Sequence, residues 1–401
     1  MLYRLLKIER GETVGAVLAR HRGVGPAFDV LRILLALVIF YGHTRWIAGT
    51  GGMALAGVAR LAAAGAGDAV PGGPAAGAEW WGVTRPLWLA LVPAFFALSG
   101  FLVTGSALRL RSTPTFLAHR ALRIFPALAV ETTLAALIIG PLLTVLPLAE
   151  YFSASQFGRY FGNIVGFVWY VLPGVFTGNP VPNIVNVNLW TLPSEFYCYL
   201  LLAAAMLTRL AYNRTALTLL FTVATLALAA MHATTGASTP HGPYPMHVVV
   251  YYFFVGMMFY HWRDRIPASV ELFVLAAAAS YATLFVPALT YVTPLFLVYA
   301  VVCFGLIPLP KFRLVASGDY SYGIYLYGFP IAQALVMLYP RTFIGQPWLL
   351  IIAALTLTMC FAAASWHGIE KHALGAKRLL PERWFPQPAR RERPLEQLSP
   401  R

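Results

Sequence analysis

Phe28-Asp-Val-Leu-Arg32-Ile-Leu-Leu-Ala-Leu-Val-Ile-Phe-Tyr-Gly-His43-Thr-Arg-Trp-Ile47 is apolar and long enough to cross a bilayer, yet it holds an arginine and a histidine inside its length. At about 100° per residue their separation of eleven is close to three helical turns. Both side chains therefore leave one face, about 16 Å apart along the axis. Placing Arg in hydrocarbon is unfavourable by about 2.5–3.5 kcal/mol even on lenient insertion scales, so such groups are expected to face an internal cavity and to mark function.

The composition extends that reading to the whole chain. Hydrophobic residues make up 59% and charged residues 11%, with a mean hydropathy of +0.68. A water-soluble domain carries about 25% charged residues, which excludes an ordinary soluble enzyme. Apolar runs of spanning length recur at 28–47, 86–108, 122–145, 189–208, 215–232, 247–262, 267–286, 290–308, 320–339 and 347–367. The sequence thus predicts an all-α integral membrane protein with about ten transmembrane helices.

Orientation follows from the basic residues. With the N-terminus inside, 23 of the 29 Lys and Arg fall on the cytoplasmic side, and every inner loop is basic. That asymmetry places both termini in the cytoplasm. It also accounts for the net charge of +14 without nucleic acid. The residues before 28 lack the apolar run and cleavage site of a signal peptide. Cys198, Cys303 and Cys360 lie far apart within predicted spans, so they read as small buried hydrophobes, and no metal site is expected.

The expected organisation is a cytoplasmic segment over 1–27, a membrane domain over 28–370 and a basic, Pro-rich, largely unstructured tail over 371–401. Neither end has room for a further folded domain. Two outer loops are long. Residues 48–85 are rich in Ala and Gly and read as a linker. Residues 146–187 mix Tyr151, Phe152, Phe157, Tyr160, Phe161, Phe167, Trp169 and Tyr170 with Asn163, Asn179, Asn183 and Asn186. Such a mixture suits either an interfacial aromatic belt or stacking on sugar rings.

Six short motifs occur in order along the chain. They are Arg32 with His43; Phe95-Phe96-Ala-Leu-Ser99-Gly100-Phe101-Leu102; Arg120-Ala-Leu-Arg123-Ile124-Phe-Pro126; Asn188-Leu-Trp190-Thr-Leu-Pro-Ser194-Glu195-Phe-Tyr197; Tyr320-Ser321-Tyr322-Gly-Ile-Tyr325-Leu326; and Ile369-Glu370. In this order on ten spans, the chain resembles the acyltransferase family 3 integral membrane proteins over about 28–370. The resemblance implies an O-acyltransferase of the bacterial cytoplasmic (inner) membrane. Such an enzyme moves an acyl group, most often acetyl from acetyl-CoA, to a hydroxyl of a sugar, a lipid-linked glycan or a surface-polysaccharide precursor. No cofactor is held permanently in that scheme. Two departures stand out: many members carry a His after Ile-Tyr-Leu-x in the ninth span where this chain has Tyr327-Gly328, and the last span closes on Glu370-Lys371-His372.

Each candidate residue carries a functional and a structural reading. His43 suits a general base that deprotonates the acceptor hydroxyl, or a polar residue at the outer interface. Arg32 is a ligand for CoA phosphate, a helix-pairing cation or a snorkelling side chain. Arg120 and Arg123, one turn apart, offer forked donors for CoA phosphates or ordinary inner-loop charge. Glu195, early in the fourth span, either orients His43 or meets the helix dipole. Asn188, Trp190 and Ser194 are candidates for acceptor or oxyanion contacts. Tyr325 and Tyr322 line the cavity or pack, and Glu131 is expected to pair with an Arg of the bundle. Ser99-Gly100 lacks a nucleophile elbow and reads as close helix packing. A transporter or flippase of a lipid-linked saccharide is the rival class; intramembrane charges suit it too, but the two halves show no repeat.

The orientation has a direct check. Reporter fusions should place positions 115 and 380 in the cytoplasm and positions 65 and 165 outside; a cytoplasmic 165 would reverse the topology.

Overall fold

The computed structural model of the protein describes residues 11–21, 23, 25–50, 78–235, 246–309 and 317–379. Among these the chain is helical, and its β pairing is limited to the isolated bridges Thr13–Pro267 and Thr144–Val175. Among the described residues ten principal helices occur in order: α1 (Phe28–Ile47), α2 (Ala78–Leu110), α3 (Thr113–Leu134), α4 (Thr191–Leu207), α5 (Arg214–Thr235), α6 (Met246–Trp262), α7 (Val270–Thr283), α8 (Thr293–Gly305), α9 (Ser321–Leu338) and α10 (Pro347–Ser365). Among the described residues six stretches are long and apolar enough to cross a membrane: Phe28–Ile47, Val83–Leu110, Thr113–Leu143, Arg214–Thr234, Ser321–Leu338 and Pro347–Arg378. Each of the ten apolar runs contains a helix, but those at α4, α6, α7 and α8 are only 13 to 17 residues long. The linker-like stretch 51–77 and the tail 380–401 lie outside the described residues.

Glycine sets the closest seam. A Cβ on Gly100 of α2 would stand 1.9 Å from the carbonyl oxygen of Phe253 on α6, and one on Gly256 would stand 2.2 Å from that of Ala97. Only hydrogen fits at either position, so the two backbones touch, as small-residue packing in membranes allows. This agrees with the packing role read for Ser99-Gly100. Gly323 of α9 does the same against Ala362 of α10, and Gly328 admits the ring of Phe40 from α1. The outer surface is apolar: Leu219, Leu226, Val274, Leu275, Trp348 and Ile352 are exposed on α5, α7 and α10. A soluble fold rarely leaves so many large apolar side chains exposed along its helices, whereas lipid covers them.

The segment between α3 and α4 folds over one end of the bundle. Helix α3 runs on through a π-helical turn at Ala135–Ile139 and then Gly140–Leu143, and the short helices Leu148–Ser153 and Ser155–Tyr160 come next. Tyr151, Tyr160, Leu172, Val175, Phe176 and Val185 form a separate small core against Ala135 and Ala136. The Tyr151 hydroxyl donates to the Ala136 carbonyl at 2.7 Å. Asn163 ties the cap together, donating to the Tyr160 and Trp169 carbonyls and accepting from the Trp169 amide, each at 2.8 Å. Gln333 of α9 fixes it to the bundle by donating to the carbonyls of Val181 and Ile184, both at 2.7 Å.

Tyr151 and Tyr160 therefore belong neither to an exposed belt nor to a sugar platform. They are the core of the cap, and Asn163, Asn179 and Asn186 are engaged within the protein. Residues 371–379 also differ from the unstructured tail expected, because Lys371–Gly375 is α-helical and Ala376–Leu379 forms a 3₁₀ turn.

The glycine seam predicts a contrast between two alanine substitutions. Gly100→Ala should lower stability in detergent by about 1–3 kcal/mol or more, because the clash is with backbone. Gly158→Ala, where a Cβ meets open space, should leave the thermal midpoint unchanged or slightly raised.

Candidate active site

A cavity of about 350 Å³ opens between α1, α2, α3, α4, α9 and the extension of α10. That volume lies within the usual range for small-molecule sites. Its charged lining is Arg32, Arg120, Arg123, Lys377, Asp319 and Glu195. Arg32 stands in the second turn of α1, Arg120 and Arg123 in the third and fourth turns of α3, Asp319 just before α9 and Lys377 after α10. In an alternating bundle these positions share one end, so the cavity is basic at its mouth. Further in, the walls are Ile39, Phe95, Leu98 and Leu102, with Thr191 and Tyr325.

Asp319 organises the mouth. One of its carboxylate oxygens lies 3.0 Å from an Arg32 nitrogen and 2.5 Å from an Arg123 nitrogen. Arg123 reaches on to Glu370 at 3.2 Å, and its guanidinium lies over the rings of Tyr322 and Trp366 at 5.6 and 6.0 Å. The Ser321 hydroxyl donates to the other Asp319 oxygen at 2.5 Å. Burial pushes the Asp319 carboxyl up, but Arg32, Arg123 and Ser321 together outweigh it and hold the group down at about 2. Glu370 is presented from a π-helical turn at Trp366–Glu370, a local widening common at functional sites.

Arg32 and Arg123 thus have acid partners already, unlike the free phosphate forks that sequence alone allows. Arg120 differs. Among the described residues it forms no ion pair, its Nε is buried without a hydrogen-bond partner, and its guanidinium lies 5.9 Å from the centre of the Tyr199 ring.

His43 is buried and meets the Phe329 ring edge-on, with centroids 5.5 Å apart. It does not line the cavity. Ile39, one turn earlier on α1, does, and Tyr325, one turn before Phe329 on α9, does as well. The cavity therefore ends about one helical turn, roughly 6 Å, below His43. Glu195 lines the cavity, but its carboxylate accepts from the Tyr199 hydroxyl; the expected contact with His43 is not among the hydrogen bonds formed.

The proposed acceptor residues fall into two groups. Tyr325 reaches the cavity, and its hydroxyl is hydrogen-bonded with that of Thr191 and donates to the Asn188 carbonyl. Asn188, Trp190 and Ser194 do not line it. Asn188 donates to the Tyr325 carbonyl at 2.7 Å, Trp190 packs against the core, and Ser194 is fully buried with an unpartnered hydroxyl. Glu131 is corrected as well: its partner is no Arg but Asn186, whose amide donates to it at 2.9 Å and to the Leu326 carbonyl at 2.8 Å. The Thr132 hydroxyl donates to the other carboxylate oxygen at 3.5 Å.

Sequence reasoning does not single out Asp319 or Lys377. Asp319 falls in a short loop outside any apolar run. Lys377 reads as part of the tail, although Trp366, Glu370, Leu374 and Lys377 recur at spacings of four, four and three, a single helical stripe.

The Asp319 cluster generates a pH-dependent stability prediction. Asp319→Asn leaves two guanidiniums facing each other and should cost about 1–3 kcal/mol, below the 3–5 typical of full burial because all three side chains keep some solvent contact. An unfolded Asp titrates near about 3.9, whereas the folded group stays ionised down to about 2. Its stabilisation is complete above the unfolded value and is lost as pH falls through the folded one. Unfolding measured in detergent should therefore show a constant difference between wild type and variant from pH 5 to 8, shrinking below pH 4.

Comparison with known proteins gives this arrangement its setting. Residues 26–367 match the family described as "Acyltransferase domain". An O-acetyl transferase of Shigella phage Sf6 is 30% identical over 292 residues, covering 70% of this chain and 83% of that protein. Nodulation protein 10 of Rhizobium leguminosarum bv. viciae is 29% identical over 308 residues, covering 71% and 81%. No solved structure matches the chain. The chain belongs to this acyltransferase family.

Proposed function

We propose, with that family membership as premise, that the protein transfers an acyl group, acetyl in the first instance, from acyl-CoA to a hydroxyl of a sugar or surface-polysaccharide precursor. In this reading it is a ten-span protein of the bacterial inner membrane with both termini cytoplasmic. The observation that carries the reading is the cavity itself, which is basic at its mouth, apolar within, and directed along α1 toward His43. A charged nucleotide at one end and a neutral thioester arm beyond it fit that polarity.

The chemistry needs one base. His43 accepts the proton of the acceptor hydroxyl as its oxygen attacks the thioester carbonyl. The tetrahedral intermediate collapses by breaking the carbon–sulfur bond, and the imidazolium returns its proton to the departing thiolate, so ester and free CoA leave a regenerated enzyme. Glu195, held by Tyr199, borders the arm's path as a positioning group. The hydroxyls of Tyr325 and Thr191, at the inner end of the cavity, are better placed to meet a developing oxyanion than Asn188 or Ser194. Transfer at this depth moves the acyl group toward the outer half of the membrane while CoA stays on the cytoplasmic side.

The test separates chemistry from binding. His43→Ala should reduce acyl transfer by about 10²–10⁴-fold, the span expected for a lost acid or base, with acyl-CoA affinity near that of the wild type. Wild-type turnover in the variant would remove His43 from the mechanism. Failure of the wild type to bind or consume any acyl-CoA would remove the donor.

A further inference from the structure

Four cations and two carboxylates line the cavity, and a third carboxylate, Glu370, stands behind Arg123; Glu195, the second lining acid, accepts from the Tyr199 hydroxyl. Arg32 and Arg123 are matched by Asp319 and Glu370. Arg120 and Lys377 both line the cavity, and among the described residues neither forms an ion pair. They stand close enough for their like charges to repel each other, and His119 is near enough to feel both. Two nitrogens of this group, Arg120 Nε and His119 Nε2, are buried without hydrogen-bond partners. Gathering cations around an orphaned guanidinium donor is unfavourable unless an anion completes the arrangement.

We infer that Arg120 and Lys377, with His119 beside them, form the anion site that receives the phosphate groups of the acyl donor, and that Arg32 and Arg123 hold the mouth in shape without gripping phosphate. This rests on the acyl-CoA reading above and refines it by naming which cations bind. A guanidinium forks onto phosphate oxygens, while an ammonium acts as a point charge, so the pair suits a ligand carrying several phosphate charges. The apolar inner wall of Phe95, Leu98 and Leu102 excludes such charges and keeps them at the mouth.

Lys377 reaches this place because the helix does not stop at the end of the last apolar run. The chain continues as Lys371–Gly375 and Ala376–Leu379, which pack against α3. Leu374 and Lys377 thereby enter the cavity lining, on the stripe that already carries Trp366. Lys377 lies beyond the matched stretch 26–367, whereas His119 and Arg120 lie within it. Lys371, on the same extension, does not line the cavity.

Titration of CoA and of S-acetyl-pantetheine, which has no nucleotide phosphates, into full-length protein in zwitterionic nanodiscs tests the assignment. Lys377→Ala and Arg120→Ala should each weaken CoA binding by about 10- to 150-fold, the equivalent of one charged hydrogen bond, and flatten its salt dependence. Both should leave S-acetyl-pantetheine binding within about twofold. Lys377→Arg should restore CoA binding, and Lys371→Ala should match wild type, which separates a missing cation from a misfolded protein. Wild-type CoA affinity in both alanine variants would overturn the assignment while leaving the donor reading intact, whereas a wild type blind to CoA would sink the donor reading first. A Lys377→Ala defect that appears only in nanodiscs rich in anionic lipid would make the site a lipid-phosphate contact, and that too would overturn the proposal.

Discussion

Asp319 placed between Arg32 and Arg123 is the contact on which the rest of this site depends. Each of the three groups alone would be a charge facing a low-dielectric interior, with a desolvation penalty of several kcal/mol. Together with Glu370 they make two cations and two anions joined at 2.5 to 3.2 Å, electrically neutral as a set. The cluster links the start of α1, the middle of α3, the loop before α9 and the extension of α10. Four helices are thus registered at one end by charge, while glycine seams and van der Waals contact register them along their length.

Neutrality within that cluster decides what the remaining charges mean. Had Arg32 and Arg123 been unpaired, the cavity mouth would be a diffuse patch of positive potential with no preferred docking point. With both matched, the cations left outside the cluster are Arg120 and Lys377, and the one further lining acid, Glu195, is held by the Tyr199 hydroxyl. A ligand's anionic end then has one place to sit, and its distance from His43 is set by the intervening length of α1. The cap works at the opposite end. Asn179 and Gln333 together join it to α9, the helix that also carries Tyr325 and Phe329, so the wall beside His43 is braced from outside the bundle.

The helical architecture was legible because a bilayer permits few alternatives: apolar runs of spanning length must satisfy their backbone internally. Arg32 and His43 stood out because charge in such a run is rare. What escaped was pairing. Nothing in the spacing of Arg123 reveals that Asp319 and Glu370, nearly 200 and 250 residues later, arrive beside it, so a committed structural cation read as an available ligand. Glu131 failed in the opposite direction: an acid in mid-span suggested a countercharge, and an asparagine from the cap met it instead. The aromatic loop was ambiguous for a related reason. Tyr151 and Tyr160 form a core only when the π-helical turn at Ala135–Ile139 and the reversal at 144–175 bring their partners together.

The C-terminal extension shows how a boundary drawn from hydropathy can conceal a binding residue. The apolar run ends near 367, where Glu370, Lys371 and His372 look like the start of a solvated tail. The backbone does not track hydropathy there. A π-helical turn at Trp366–Glu370 adds a residue to the local winding and rotates the helix beyond it. This lets Trp366 stay over Arg123 and Glu370 reach its guanidinium, while Leu374 and Lys377, farther along, still face the cavity. Without the wider turn, a regular helix would shift the stripe by about 100° per residue gained or lost. Glu370 and Lys377, seven residues or about two turns apart, would turn away together, so the same turn that brings Glu370 to the neutral cluster also brings the lysine to the cavity.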